Sequence, residues 1–392
     1  MSQAVCEWRK LFRLPALWVF LALYLAFNGL LIATLTPYDR AFFNETFQTA
    51  KALGQQVDED FWAGLDAMPA TESRDLLLES VTGMEDIFET YDTGELADFY
   101  AGVVEKSPTA VTWMTWKYSL LAERVEHLAW TNAAMDLYAG PSTYGSHQFL
   151  FSSLFRAILC ESAILAMLGT LYLLGYEGMH RTECLACSSR TGRRLRRLKV
   201  LVALPASAAL HGLLAVCTLA PYFLLYDYSG IWDASVSSQF NYFSDMLVVR
   251  PFLTWGDFTV GQYLAAALAL GAVLTTAFSL LASVCGTLVR NPYLAALALG
   301  VVCFGGMGLI SVLGELGWWA AYLIACFQPV MIWLSCSAWF TELGLSALLP
   351  WQETIKRAEP AAFGRRSPVG SRLVCQKGRI RMALLRWELR KI

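Results

Sequence analysis

Glu177 and Arg181 stand four residues apart at the start of a basic stretch that ends at Lys199. On a helix that spacing puts both side chains on one face. There they either pair with each other or offer a charged surface to a partner protein. Thr182 follows directly, and a Gly192-Arg193 step leads into Arg194, Arg196, Arg197 and Lys199. Seven Lys/Arg fall within 176–199. The stretch lies between two apolar runs, which points to lipid headgroups or a protein partner rather than to nucleic acid.

Asn28, Glu161 and His211 are strongly polar residues inside apolar runs. An ionisable side chain within a spanning helix is a functional candidate by default. Glu161 could instead pair with Arg156, and Asn28 and His211 could serve as interhelical hydrogen-bonding groups. Familiar reaction centres are missing. There is no GxxxxGK[ST] phosphate loop, no HExxH and no GxSxG, and His127, His147, His180 and His211 are scattered. Cys184 and Cys187 form a CxxC with His180 as the sole third ligand in view, one short of a structural zinc site. No catalytic residue, metal site or cofactor is therefore expected within this chain.

The elements that must position these residues are membrane helices. The chain is 56% hydrophobic with 14 Trp and a mean hydropathy of +0.45. Apolar runs cover 14–35, 157–175, 200–226, 262–288, 293–313 and 318–340, and about 20 apolar residues cross a bilayer. The expectation is an all-α polytopic membrane protein of six transmembrane helices, with a helical extracytoplasmic domain inserted between helices 1 and 2. The first run is longer than the core of a cleavable signal and reads as an uncleaved anchor.

Lys/Arg bias sets the orientation. If all six runs cross, 22 of the 30 Lys/Arg fall on one side: three before the first run, seven in 176–199, Arg290, and eleven in the tail. That side is expected to be the cytoplasm, with the N-terminus and the C-terminus both there. Segment 37–148 carries 19 acidic and 6 basic residues and belongs outside. None of the ten cysteines falls in it, so its stability must come from an apolar core rather than disulfides. The expected order is an interface helix over 1–13, a first span over 14–36, the outer helical domain over 37–148 and a second span over 149–175. A coupling loop over 176–199, a bundle of spans three to six over 200–350 and a basic cytoplasmic tail over 351–392 complete it. Segments 73–91 and 109–137 of the outer domain show helical spacing, and Gly140-Pro141-Ser142 reads as a turn. In the tail, 379–392 reads as a basic amphipathic helix on the inner leaflet.

The sequence Glu7-Trp8-Arg9-Lys10-Leu11 resembles the interface helix of the permease subunit of type-two ATP-binding cassette (ABC) exporters. Tyr176-Glu177, Arg181-Thr182, Ser188-Ser189-Arg190, Gly192-Arg193 and Lys199 are similar to the loop after that family's second span. The large insertion between spans one and two resembles a Gram-positive subgroup. The resemblance covers most of 1–350. It implies that Glu177, Arg181, Thr182, Gly192 and Arg193 dock on a separate ATPase subunit, which would hold ATP and Mg, and that the permease works as a homodimer or paired with a related permease. In that family, short re-entrant helices and a final span follow the fifth helix, whereas here the chain after Trp351 is basic. Segment 318–350 is therefore either a sixth span, the favoured reading, or re-entrant. A membrane-anchored peptide sensor signalling through its cytoplasmic loop is the alternative function, and a polytopic membrane enzyme is disfavoured by the missing reaction centres.

Overall fold

The computed structural model describes residues 3–34, 37–138, 148–182, 184, 188, 192–244, 249–289 and 291–342. Helix α1, Gln3–Phe12, is amphipathic: Glu7 and Leu11 face inward and Trp8 faces out. Pro15 opens α2, Pro15–Ala33, at the position where a missing N–H costs nothing. The corner between them is closed by Trp18 Nε1, which donates to the Phe12 carbonyl at 2.8 Å. On α2, Leu17, Leu21, Asn28 and Ile32 form one buried stripe, while Val19, Leu23, Phe27 and Leu30 are exposed. A helix apolar on its outer face as well as its inner one belongs in lipid.

Between α2 and the next long helix the chain forms six helices: α3 Pro37–Leu53, α4 Glu59–Ala67, α5 Glu72–Val81, α6 Ile87–Thr90, α7 Thr93–Val103 and α8 Pro108–Trp130. The acidic composition is partly a capping device. Asp58, Asp86 and Asp92, with Thr71, accept backbone N–H groups at the starts of α4, α6, α7 and α5. The helical spacing over 73–91 is interrupted at Gly83, whose φ of +74° ends one helix before α6 begins. Leu96, Met114, Leu121 and Leu128 form a core with Phe88, and Leu253 and Trp255 enter it from a later loop. This inserted segment is thus packed around a residue pair from the bundle's own connections. The turn expected at Gly140-Pro141-Ser142 lies outside the described residues.

A π-helical entry, Gln148–Leu154, leads into α9, Phe155–Met179. Helices α10 Gly192–Leu225, α11 Val260–Leu288 and α12 Pro292–Glu315 complete the bundle. An antiparallel pair, β1 Tyr242–Ser244 and β2 Val249–Pro251, lies in the connection between α10 and α11. Helix α9 is central and touches α2, α10, α11 and α12. Among the described residues, five helices are long and apolar enough to cross a membrane. The chain is a mostly helical, polytopic membrane protein.

The sixth apolar run does not form a spanning helix. Gly317 turns the chain at φ +70°, and 318–340 folds as α13 Ala320–Phe327, α14 Pro329–Leu334 and a 3-10 turn Cys336–Ala338. Helices of eight and six residues are far shorter than the roughly 20 needed to span. Pro329 cannot donate to a preceding turn, and Gln328 caps the new helix through Met331 N at 2.7 Å. The folded-back segment is held by side-chain bonds: Arg156 Nη2 to the Leu334 carbonyl at 3.0 Å, Trp333 Nε1 to the Arg156 carbonyl at 2.9 Å, and Tyr263 Oη to the Ser337 carbonyl at 2.8 Å. The described chain ends at Thr341 and Glu342, beside Thr254 and Lys117, at the end of the bundle that carries the inserted segment. The tail 351–392 and its amphipathic stretch lie outside the described residues.

Candidate functional site

The opposite end of the bundle is organised around one carboxylate. Glu177 is in the last turn of α9, two residues before its end. Its Oε2 accepts from Lys199 Nζ on α10, and its Oε1 lies 3.3 Å from Lys10 Nζ on α1. Lys10 also donates to Glu7 Oε1 at 2.5 Å, and Lys199 donates a second bond to the Leu173 carbonyl. Two acids and two lysines thus join three helices. The Tyr176 ring lies under Lys10, 4.7 Å from its ammonium. The Lys199 side chain is 3% exposed and that of Glu177 14%. Burial works against the charge on Lys10, but bonding to Glu7 and the fields of Glu7 and Glu177 outweigh it and raise its pKa. A cavity of about 400 Å³ opens beside the cluster, lined by Cys6, Glu7, Lys10, Tyr176, Glu177 and Thr182.

Glu177 does not pair with Arg181. The helix stops at Met179, and Arg181 takes φ +56° in the left-handed region. Thr182 N donates to the Glu177 carbonyl at 2.9 Å and Arg181 N to that of Gly178 at 3.2 Å. These two bonds make a Schellman terminus with Arg181 in the position that glycine normally fills. Arg181 and Thr182 therefore form the turn that ends α9, and the Arg181 side chain is exposed. Gly192 is the first residue of α10, so the cluster from Arg194 to Arg197 extends a spanning helix instead of belonging to a loop. The loop itself is narrower than 176–199. Arg193 lies on the first turn of α10, with only its backbone described. Arg190 and Cys187 lie outside the described residues. Among those residues no group of three or more His, Cys, Asp or Glu could hold a metal ion.

A second polar cluster crosses the middle of the bundle. Asn28 Nδ2 donates to Glu161 Oε2 at 2.8 Å and to Thr218 Oγ1 at 3.0 Å, tying α2 to α9 and α10. Arg156, the partner expected for Glu161, instead bonds Ser152 Oγ and the Leu334 carbonyl. His211 Nδ1 lies 3.0 Å from Ser162 Oγ, which is 3.4 Å from Thr275 Oγ1. Farther along α9 and α11, Thr170 and Ser279 share a hydrogen bond at 2.7 Å. Gly271 lets α11 approach the histidine: a Cβ there would meet His211 Cε1 at 2.9 Å. Polar side chains between close-packed helices hold membrane bundles together in this way.

The structure thus brings Glu177, Arg181 and Thr182 to one end and places Asn28, Glu161 and His211 in the helix core. What the sequence does not reveal is that Lys10 and Lys199 are the partners of Glu177, and that Glu7 joins them through Lys10. One signal was available: Glu7 is the single acid in residues 1–13, set among three cations. No family model matches the chain, and no curated protein or solved structure shows a significant match to it.

Proposed function

We propose that this chain is the membrane-spanning permease subunit of an ATP-driven exporter in the cytoplasmic membrane of a bacterium. It would work with a separate ATPase and a second permease copy or a related permease. In this reading α1 and the turn after α9 face the cytoplasm, the inserted segment is extracytoplasmic, and the ATPase supplies ATP and Mg. The observation that carries the proposal is the clamp on Glu177, which links the surface helix α1 to the ends of two spanning helices.

A push on α1 or on the Arg181 turn then reaches α9 and α10 through charge-assisted bonds, not through a loose loop. Exposed Arg181 and the cluster Arg194, Arg196 and Arg197 offer a cationic surface for an acidic docking groove. The partner's closure on nucleotide would move α1, α9 and the start of α10 together, and the polar cluster at Asn28 and Glu161 would carry that movement toward α2.

The test is affinity purification of the tagged chain from its native membranes, followed by ATPase assay of the co-purifying complex. Wild type is compared with Glu177→Lys and Arg193→Glu. A nucleotide-hydrolysing partner that both variants lose or uncouple is the expected result. A chain that purifies with no such partner, or variants with unchanged association and hydrolysis, would overturn the assignment.

A further inference from the structure

We infer that the cleft between α2 and α10, at the end carrying the inserted segment, binds an anionic phospholipid, with Arg40 on its phosphodiester. The cleft has a volume of about 420 Å³ and is lined by Gly29, Ile32, Ala33, Pro221 and Leu225, with Arg40 at its mouth. Its walls are apolar and belong to two membrane helices that end at Ala33 and Leu225.

Two residues keep it open. Gly29 has no side chain, and a Cβ built there meets nothing within 4 Å. On the other wall, Pro221 lies within α10 and has no N–H to give the Cys217 carbonyl. Ile32 and Tyr226 are the buried floor. The gap therefore presents a hydrocarbon surface that opens sideways toward lipid.

Arg40 supplies the complementary charge. It is half-buried on α3 and, among the described residues, makes no ion pair or hydrogen bond. Its position over the cleft is fixed, not incidental. Asn44, one helical turn along the same face, donates to the Leu225 carbonyl and accepts from Asp227 N, both at 2.9 Å. The end of α10 and the start of α3 are pinned together just where the guanidinium sits. In a stretch with 19 acids against 6 cations over 37–148, an arginine left without a carboxylate is a conspicuous vacancy for an anion. A planar guanidinium matches a phosphodiester by two parallel bonds. The apolar cleft beneath it takes the first part of an acyl chain, which a free phosphate lacks.

The experiment is thermal unfolding of the purified chain in neutral detergent, titrated with phosphatidylglycerol or phosphatidylcholine of identical chains, with native mass spectrometry to count bound lipid. Wild type is expected to be stabilised by phosphatidylglycerol at lower concentration and to retain one copy. Arg40→Gln should weaken phosphatidylglycerol about tenfold, the scale of a lost charge-assisted bond, and bring it level with phosphatidylcholine. Gly29→Phe, which has room to fold, should weaken both lipids while leaving Arg40 intact. Equal responses to the two lipids in wild type, titrations unchanged in both variants, or the same stabilisation by inorganic phosphate would each overturn the inference.

Discussion

Glu177 and Lys199, 22 residues apart in the chain, close the two ends of the basic turn on one another. The last turn of α9 and the second turn of α10 are therefore fixed whatever the residues between them do. Lys10 adds α1 to the same carboxylate. Removing one partner of a buried pair strands the other charge, which typically costs about 3–5 kcal/mol. Lys199→Met alone and Glu177→Gln alone are expected to lower the melting temperature in detergent sharply. The double variant should recover part of the loss. Additive losses in the cycle would show that the pair is not coupled.

Arg181→Gly is expected to stabilise the fold, by up to about 1 kcal/mol, because the left-handed position after α9 costs a non-glycine residue about that much. The same change deletes an exposed charge. Thermal unfolding and partner association should therefore move in opposite directions if Arg181 contributes to docking. A drop in melting temperature would contradict the turn geometry.

Gly271→Ala should destabilise the bundle by about 1–3 kcal/mol through overpacking, since the new Cβ meets the rigid ring of His211 at 2.9 and 3.0 Å. Removing the ring as well, in Gly271→Ala with His211→Ala, should recover most of the loss. Melting temperatures of the three variants decide it.

Glu342 gives a pH dependence with a definite sign. It is 1% exposed, neither carboxylate oxygen has a hydrogen-bond partner among the described residues, and Lys117 donates to its backbone carbonyl at 2.6 Å. Burial pushes the carboxyl from 4.5 up to about 7, against the pull of Lys117 and Arg250. The folded chain then holds this proton more tightly than the unfolded chain. The stabilising contribution is full below pH 4.5 and is lost as pH rises toward about 7. Melting temperature should fall across that window in wild type, and the fall should be much smaller in Glu342→Gln. Identical slopes in the two proteins would remove Glu342 as the cause.

The five long helices were legible because hydropathy reports burial in lipid directly, and Pro15 and Pro292 mark starts that need no upstream N–H. The run 318–340 favours a span over a re-entrant segment for the same reason, and the structure shows the folded-back form. Its residues are as apolar as those of a true span, and what folds them back is local: the left-handed turn at Gly317 and the Gln328-Pro329 break. Of the site, Glu177, Arg181 and Thr182 could be picked out from a short stretch of sequence. Their contacts could not, because Lys10 is 167 residues from Glu177 and pattern alone pairs near neighbours. The alternative pairings Glu177–Arg181 and Glu161–Arg156 do not form for the same reason: each joins charges that are close in sequence, and the fold brings other partners to them.

The inserted segment is fastened to the bundle at many separated points, beginning with Asn44 at the end of α10, and three more are made by cationic side chains. Lys106 pairs with Glu315 at the end of α12, Lys117 reaches Glu342, and Arg124 bonds the Thr254 carbonyl at 2.8 Å and Asp257 at 2.5 Å in the connection before α11. A body attached at one point can swing, and one attached at two can still turn about the line between them. Three separated ties leave no free rotation. The segment is consequently geared to the helices beneath it: a change of splay between α11 and α12 must either tilt it as a rigid plate or break one of the ties.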